Sequence, residues 1–440
     1  MSEKKSNHKI MVSFVFALFL FAFIAGCAPA AAKPAEESAA PVAPPSTIKI
    51  GILTPLTGNN ALYGKQVLDA FQMITDLINT ANPDYHMALA KEAGLPNLNG
   101  AKIELVVADH KGDTAVAVAE AKRLITDEKV VAMTGQFNSA MTKAVAVVTE
   151  QYQIPFLTAG TAVTLTDGSS PLEWLFRFGL NDATYIEDTF KFMKMLNDER
   201  NAGIKTVAFM SEDTEFGANI VKEEVKFAAQ YGFTVVENIN YPASSTNLTS
   251  EVLRIKNANP DVVIMASYLS DTILFMRTIK EQNYTPKLII GQRGGFLQTD
   301  FFAAVGKDTE YLLSTGGWSA DLNTEVTKEL KKLYPEKYSN GIPLIEGMVR
   351  DGTNVLFLAL AINQAGTTEN LKLREALRNL KVDMKTLLLP GEGITINQYG
   401  QNTSATGVVM QVQNGVYVTV YPSQFKFADA IYPMPKWSER

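Results

Sequence analysis

Short runs of apolar, mostly β-branched residues alternate with longer segments of helical periodicity along most of the chain. The runs Thr47–Thr54, Lys102–Ala108 and Val130–Thr134 are each followed, after a polar or Gly-containing turn, by a helix-length segment. Strands that alternate with helices at this spacing predict a parallel sheet with right-handed crossovers. The chain is therefore expected to adopt an α/β fold.

The predicted strands fall into two sets, which are separated near residues 176–180. The second set begins with Lys205–Met210 and ends near Lys287–Ile290, and the strands of both sets lead into polar or Gly-rich loops. Ligands of open parallel sheets bind at the carboxyl ends of the strands, so two such sheets that face each other predict a cleft. Near the end of the chain a strand is predicted at Ile394–Asn397, and Asn414-Gly415 between two β-rich runs predicts a hairpin.

The segment Val130–Glu150, VVAMTGQFNSAMTKAVAVVTE, is a candidate ligand site of this kind. It is predicted to form a strand, a Gly-containing turn and a helix that opens at Asn138 or Ser139. The first N–H groups of a helix lack intrahelical partners, and together with the positive end of the helix dipole they favour a carboxylate or another small anion. Ser139 is a candidate both to cap this helix and to present its hydroxyl to a ligand.

Composition excludes several classes of function. The formal net charge of −6 argues against a general nucleic-acid binder, which needs a basic surface. One cysteine and three histidines leave almost no material for a His-rich metal site or a His-based catalytic triad. The sequence also lacks the common nucleophile, phosphate-loop and metalloprotease motifs. The length predicts two or three domains, and these absences give little support to an enzyme, so no cofactor, metal or catalytic residue is predicted.

The first 46 residues predict the compartment. A basic start is followed by the apolar run Ile10–Ala25, which has the length of a signal peptide and is short for a spanning helix. The run ends in Ile24-Ala25-Gly26-Cys27, which resembles the lipobox of bacterial lipoproteins, so Cys27 is the predicted lipidation site. An uncleaved N-terminal anchor is the alternative. Residues 28–46 are rich in Ala and Pro and predict a flexible tether.

Four stretches carry a resemblance to a known family: IKIGILTPLTG followed by Tyr63-Gly64, GAKIELVVADHKGD, VVAMTGQFNSAMT with IPFLTAGTA, and VRDGTNVLFLALAINQAG. In this order and spacing they resemble the type I periplasmic-binding-protein-like receptors of ABC transporters, in particular the leucine/isoleucine/valine-binding branch. The resemblance covers essentially Thr47 to Tyr421. In the last stretch Arg350-Asp351-Gly352 stands where the family usually has Tyr-Asp-Ala.

The resemblance implies an α/β fold of two Rossmann-like lobes with parallel-rich central sheets. Closure of the lobes is a hinge motion that buries the ligand. Three hinge crossings are implied, near Arg177–Leu180, Ser314–Trp318 and Gln398–Ala405. The implied domains are residues 1–26 (signal peptide), 27–46 (tether), 47–178 plus 317–400 (lobe 1), 179–316 plus 401–425 (lobe 2) and 426–440 (C-terminal tail).

The resemblance also implies a ligand site that is shared by the two lobes. On the first lobe Ser139 is expected to hold a ligand carboxylate, and the loop that contains Thr158, Gly160 and Thr161 is expected to supply a backbone carbonyl and a hydroxyl. The aromatic side chains expected around the ligand are those of Tyr63, Phe216 and Tyr268.

Arg293 is the largest departure from the family pattern. Amino-acid binders of the family place a carboxylate at this position to hold the ligand's ammonium, whereas this chain has Gly291-Gln292-Arg293-Gly294. An arginine repels an ammonium and offers a forked donor to a carboxylate. A second carboxylate, a carboxylic acid without an amine, or an amide is therefore expected to fit better than a simple neutral amino acid.

The implied function is an extracytoplasmic, lipid-anchored receptor that captures a small carboxylate-bearing ligand, an amino acid or a related organic acid or amide. The receptor would deliver this ligand to an ABC permease in the membrane. A ligand-sensing or regulatory lipoprotein without transport is the alternative, because fold does not fix function. The site residues also have structural alternatives: an N-cap for Ser139, surface packing for Tyr63, core packing for Phe216 and Tyr268, and a solvated or lobe-bridging surface position for Arg293.

Overall fold

The computed structural model describes residues 46–58, 60–135, 138–170, 172–339 and 341–440. The predicted signal peptide, Cys27 and all but the last residue of the predicted tether lie outside the described residues. Two β-sheets, of five and seven strands, form the centres of two lobes, so the predicted α/β fold with two parallel-rich sheets is confirmed. No helix within the described ranges combines the length and the apolar character that crossing a membrane requires.

The first sheet is formed by the amino-terminal strands. The elements are β1 (Thr47–Thr54), α1 (Ala61–Asn79), β2 (Lys102–Asp109), α2 (Thr114–Thr126), β3 (Ala132–Thr134), α3 (Ser139–Tyr152), β4 (Phe156–Leu157) and β5 (Leu175–Phe176). All neighbours pair in parallel, in the order β2-β1-β3-β4-β5. The carboxyl ends of these strands therefore meet at one edge, where the loops after β3 and β4 lie side by side.

The second lobe follows in the chain. Its elements are α4 (Asp182–Arg200), β6 (Thr206–Glu212), α5 (Glu215–Tyr231), β7 (Thr234–Tyr241), α6 (Thr249–Ala258), β8 (Val262–Ala266), α7 (Leu269–Glu281), β9 (Leu288–Gly291), α8 (Thr299–Val305) and β10 (Leu313–Gly316). β6, β8 and β9 are buried along almost their whole length. Such continuous apolar strands are typical of parallel sheets that helices cover on both faces.

The chain then returns to the first lobe and ends in the second. The remaining elements are α9 (Glu325–Lys337), α10 (Glu346–Ala365), α11 (Asn370–Arg378), β11 (Val408–Gln413) and β12 (Val416–Tyr421). α10 packs against α1, and the three helices contribute to the same buried core as β1. The carboxyl-terminal segment packs on the second lobe, where the Trp437 indole donates to the Tyr284 carbonyl at 2.7 Å.

The second sheet has the strand order β12-β11-β10-β9-β8-β6-β7. Neighbours from β10 to β7 pair in parallel, whereas β10–β11 and β11–β12 pair antiparallel. Asn414 and Gly415 connect β11 to β12 with φ angles of 56° and 80°. Two consecutive positive φ angles are characteristic of a type I′ hairpin turn, so the hairpin prediction is confirmed.

One local prediction differs from the structure, and two elements were not predicted. Ile394–Asn397 is not a strand; it makes only an isolated bridge from Ile396 to Asn402, because side-chain hydrogen bonds shape the segment. No helix was predicted at α11, whose residues are mostly polar. No strand was predicted at β5, which is two residues long and too short to show a periodic pattern.

Candidate functional site

A small cavity of about 40 Å³ lies between the two lobes, at the carboxyl ends of their strands. Five of the eight predicted binding residues line this cavity: Tyr63, Thr161, Phe216, Tyr268 and Arg293. The other three predicted residues do not line it. Ser139, Thr158 and Gly160 lie directly behind the cavity and shape its first-lobe wall.

The amino-terminal end of α3 is capped by Asn138, whose side-chain oxygen accepts from the Met141 N–H at 3.1 Å. The prediction that Ser139 caps the helix is therefore wrong, because Ser139 is the first helical residue. The Ser139 hydroxyl is buried and accepts from the Ala162 N–H at 3.2 Å. This bond ties the helix end to the loop that follows β4.

The loop after β4 is held by its own polar groups. The Thr158 hydroxyl accepts from the Gly160 N–H at 2.8 Å and pairs with the Thr142 hydroxyl at 3.1 Å. The Gly160 carbonyl, which the family resemblance assigned to the ligand, accepts from the Arg177 guanidinium at 2.8 Å. Thr158 and Gly160 thus position the loop, and Ala159 and Thr161 are the residues of the loop that line the cavity.

Arg177 is buried, and among the described residues it makes hydrogen bonds that connect the crossings but no ion pair. Its guanidinium also donates to the Ala162 carbonyl at 2.9 Å and to Gln401 at 2.7 Å, so it joins the first and third crossings. Burial lowers the pKa of Arg177 to about 10. The side chain therefore stays charged at neutral pH and keeps these hydrogen bonds.

Arg293 follows β9 and is buried, with 1% of its surface exposed, so a solvated surface role is excluded. Its Nη2 donates to Asp182 Oδ1 at 2.5 Å and to the Thr161 hydroxyl at 3.3 Å, and Nη1 donates to Thr315 at 3.4 Å. The guanidinium also lies 3.8 Å from the centre of the Tyr185 ring. Arg293 therefore connects the two lobes in the interior of the protein. Asp182 accepts from one of the guanidinium N–H groups that were predicted to be available to a ligand.

The backbone of Arg293 is strained, with a φ of 57° and a ψ of −122°. Residues other than glycine seldom adopt positive φ, and the strain of such conformations is about 1–3 kcal/mol. Asp182 opens α4 and is fully buried; burial raises the pKa of its carboxyl, while the Arg293 charge opposes that rise. No local pattern predicts Asp182 as the partner of Arg293, because the two positions are 111 residues apart in the chain.

Phe216 and Tyr268 form the aromatic wall of the second lobe, with ring centres 5.5 Å apart. The Tyr268 N–H donates to Glu212 at 3.0 Å, and burial raises the pKa of that carboxyl to about 7. Gly217 lets α5 begin close to β6, because a Cβ there would lie 1.9 Å from the Glu212 carbonyl oxygen. The side chain of Asn138 donates to the Tyr268 hydroxyl at 3.1 Å across the lobes, so Asn138 holds a wall residue of the cavity without lining the cavity itself.

The opposite wall comes from α1 and α10. Arg350 donates from Nε to Asp351 at 3.1 Å and from Nη2 to the Tyr63 hydroxyl at 3.0 Å, and Tyr63 donates to Asp351 at 2.8 Å. Glu346 accepts from the Gly317 N–H at 3.0 Å, and its second oxygen lies 3.6 Å from Arg350 Nη1. Arg350 and Glu346 both line the cavity and were not predicted. The sequence signal that could have identified Arg350 is its position: Arg350-Asp351 stands where the family usually has Tyr-Asp.

Each arginine of the cavity thus has a carboxylate partner within the protein. Arg293 is paired with Asp182, and Arg350 with Asp351 and Glu346. The two guanidinium groups therefore offer directed N–H donors to a ligand rather than an unbalanced positive charge. Such a site suits a ligand that accepts hydrogen bonds at a carboxylate or an amide carbonyl.

Comparison with known proteins gives matches along nearly the whole described chain. A family model described as "Periplasmic binding protein" matches residues 47–416. The Leu/Ile/Val-binding protein homolog 7 of Brucella suis biovar 1 (strain 1330) is 28% identical over 435 residues, which cover 96% of this chain and 100% of the relative.

Two solved structures share the fold. The branched-chain amino acid transporter substrate binding protein LivJ from Streptococcus pneumoniae, in complex with isoleucine, is 20% identical with a TM-score of 0.71, and the match covers 88% of this chain and 100% of that one. A solute binding protein of an ABC transporter from R. palustris, in complex with benzoate, is 16% identical with a TM-score of 0.70, and the match covers 85% of this chain and 95% of that one.

The family match extends from the first residue of β1 to the first residue of β12, so it includes the first sheet, six of the seven strands of the second sheet and every residue of the cavity. Such a family implies an extracytoplasmic location and a permease partner. The chain belongs to the periplasmic binding protein family, whose members are substrate-binding receptors of ABC transporters rather than enzymes.

Proposed function

We propose that this protein captures a small carboxylate-bearing ligand between its lobes and delivers it to an ABC permease. The ligand carboxylate accepts hydrogen bonds at the amino-terminal end of α3 and from the guanidinium groups of Arg293 and Arg350. Tyr63, Phe216 and Tyr268 enclose the rest of the ligand. Closure of the lobes around the ligand produces the form that the permease recognises.

The observation that supports this proposal is the convergence of Arg293 and Arg350, one from each lobe, on the same cavity. An arginine has five N–H donors, and neither guanidinium uses all of its donors on the described residues. Arg350 Nη1 lies 3.6 Å from Glu346, which is an ion-pair distance without a hydrogen bond. Ser139 lies behind the same wall, and its hydroxyl accepts from the Ala162 N–H of the loop that carries Thr161.

The second part of the proposal concerns the other end of the ligand. Isoleucine and benzoate, which occupy two structures of this fold, both carry a carboxylate, but only isoleucine carries an ammonium. Arg293 stands where an amino-acid binder of the family has a carboxylate, and a guanidinium repels an ammonium. We therefore propose a carboxylic acid without an amine beside Arg293, or a related amide, in preference to a neutral aliphatic amino acid.

A binding screen tests the proposal. Benzoate, succinate, benzamide and isoleucine are compared by thermal shift and calorimetry; a ligand at about 100 times its Kd stabilises the fold by about 2.7 kcal/mol. Arg350→Gln is expected to weaken acid binding about tenfold or more, because charge-assisted hydrogen bonds contribute about 1.5–3 kcal/mol. Arg254→Gln is the matched control, since Arg254 is exposed and pairs with Glu237 on the second lobe.

Two outcomes would contradict the proposal. Stabilisation by isoleucine alone would refute the inference from Arg293, and stabilisation by no small solute would refute the receptor itself. Delivery is tested separately in the source cell. Deletion of the receptor should abolish uptake of the bound acid, the wild-type chain should restore uptake, and the Arg350→Gln chain should not.

We also propose that the receptor is held at the membrane by a lipid on Cys27. The support is the sequence alone, in which the chain's single cysteine follows an apolar signal and a lipobox-like tripeptide. Cys27→Ser should move the protein from the membrane fraction to the soluble fraction or leave its signal peptide uncleaved. An unchanged distribution together with normal cleavage would contradict the lipid anchor.

A further inference from the structure

Glu224 is a buried carboxyl group for which the proposed function has no role. It lies on α5, is 0% exposed, and neither Oε1 nor Oε2 has a hydrogen-bond partner among the described residues. An ionised carboxylate without donors is costly in the interior of a protein, because burial removes its hydration and nothing replaces it. Buried carboxyl groups are therefore paired or protonated, and the surroundings of Glu224 favour the protonated form.

Glu224 faces the ion pair of Arg293 and Asp182. Phe216, Ile220 and Glu224 recur every four residues along α5 and are all buried, so they lie on one face of the helix. At one end of this face, the Phe216 ring lines the cavity, and its centre lies 5.9 Å from the Arg293 guanidinium. Asp182 opens α4, which packs along α5. Burial raises the pKa of the Glu224 carboxyl, the Asp182 charge raises it further, and the Arg293 charge opposes the rise.

Other ionisable groups around α5 have partners of their own. They come from the elements packed against α5 and from the crossing beside Asp182. Among the described residues they are Glu187 of α4 with Tyr231, Asp188 of α4 beside Lys191, Tyr185 of α4 on Arg293, Lys143 of α3 with Glu215, Glu212 of β6 with the Tyr268 N–H, Glu237 of β7 with Arg254, and Arg177 with Gly160 and Gln401.

The charge balance of this buried cluster changes when an acid binds. Asp182 already accepts from Arg293 Nη2 at 2.5 Å. A ligand carboxylate beside Arg293 adds a second anion to the same guanidinium, and an ionised Glu224 would add a third to the cluster. Like charges repel strongly in the interior of a protein, so each anion makes ionisation of the others less favourable. The bound acid therefore strengthens the affinity of Glu224 for its proton.

We propose that acid binding is coupled to a proton on Glu224: the receptor binds an acid beside Arg293 with Glu224 protonated, and ionisation of Glu224 weakens that binding. Coupling between two sites is reciprocal, so the acid takes up protons on binding wherever Glu224 of the free receptor is partly ionised. The affinity is therefore greatest at low pH and falls as the pH rises above the pKa of Glu224 in the free protein. This inference rests on the proposed function, since it adds pH regulation to the same site.

Benzoate titrated into the full receptor by calorimetry from about pH 6 to 9, where benzoate itself stays ionised, tests the coupling. The affinity should fall about tenfold or more across this range, because like charges about 10 Å apart repel to that extent at an effective dielectric constant of about 20. At the pH of steepest change, titrations in phosphate and in Tris should give different heats, because the two buffers release protons with different enthalpies. Equal affinities across the range, or equal heats in the two buffers, would overturn the inference without any variant.

Three variants assign the proton to its residue. Glu224→Gln imitates the protonated side chain and should bind benzoate at every pH with the affinity that the wild type has at the lowest pH. Glu223→Gln is the matched control and should keep the wild-type pH dependence, because Glu223 is the preceding residue of α5 and pairs with Lys226 at 2.7 Å. Glu212→Gln should also keep it. A pH dependence that survives in Glu224→Gln, or disappears in Glu212→Gln, would overturn the inference.

Failure of this inference differs from failure of the receptor function. If benzoate binds equally well at every pH, the receptor function stands and the coupling to Glu224 is refuted. If benzoate binds at no pH, the inference is overturned. If no acid of the binding screen binds either, the proposed function is overturned as well.

Discussion

Replacement of Asp182 by asparagine tests whether Arg293 is held by a buried ion pair. The two side chains are 0% and 1% exposed, and Oδ1 of Asp182 lies 2.5 Å from Nη2 of Arg293. Asparagine keeps the shape of the side chain, so packing is unchanged and only the charge is lost. Arg293 would then keep two long hydrogen bonds, to Thr161 and Thr315, and its contact with the Tyr185 ring.

The expected loss in the free energy of unfolding follows from two opposing effects. Removal of one partner from a buried ion pair costs about 3–5 kcal/mol, because the remaining charge has no compensation. Burial raises the pKa of Asp182, which means that its ionised form is itself disfavoured in the fold. Asparagine avoids that penalty, so we expect a loss near the lower limit, about 3 kcal/mol in the free energy of unfolding.

Urea unfolding of the wild type, Asp182→Asn, Arg293→Gln and the double variant measures the loss as a double-mutant cycle. The double variant removes both charges and should be more stable than the sum of the single losses predicts, by at least about 1 kcal/mol. A loss below about 1 kcal/mol for Asp182→Asn, or strictly additive losses, would refute the buried pair. Circular dichroism of each variant verifies that the fold is retained.

Three further predictions concern other parts of the fold. Ser139→Ala should destabilise the fold by only about 1 kcal/mol through the lost bond from the Ala162 N–H, and it should weaken binding of the best acid about tenfold or more, because that bond holds the loop that carries Thr161. Unchanged affinity in calorimetry would show that Ser139 does not support the site. Burial raises the pKa of Glu212 to about 7 from its ordinary 4.5, so the folded protein binds this proton more tightly than the unfolded chain does. The resulting stabilisation of the fold is complete below about pH 4.5 and is lost as the pH rises through 7. Urea unfolding should show a decrease on the order of 3 kcal/mol between pH 4.5 and 8 that Glu212→Gln removes, and equal pH slopes for the two proteins would contradict this. Asn414→Ala should cost about 1 kcal/mol, because alanine disfavours the φ of 56°, whereas Asn414→Gly should be nearly neutral in the same assay.

Much of the fold was predictable because its signal is local. The strand β1 and the helix α1 show their periods within a few residues, and the Asn414-Gly415 turn specifies its hairpin through backbone preference alone. The segment Ile394–Asn397 shows the limit of such reasoning. Its residues favour a strand locally, but Asn402 supplies hydrogen bonds that a neighbouring strand would otherwise make.

The site was predictable where a residue follows directly from a strand or helix end. Tyr63, Thr161, Phe216, Tyr268 and Arg293 all line one cavity in the structure. Asp182 was missed because it lies 111 positions before Arg293, and such a separation carries no periodic signal. Glu346 lies four positions before Arg350 on α10, which is a helical spacing, but only the tertiary structure places that pair at the cavity.

The sequence alone determined the two α/β sheets, the loops at their carboxyl ends and the identity of Arg293 at a position where the family has an acid. These are properties of local periodicity and of residue type. Only the tertiary structure decided that Arg293 is paired with Asp182 and that Arg350 lines the same cavity from the other lobe. Long-range packing sets those relations, because a buried charge or cavity depends on which distant elements come to surround it.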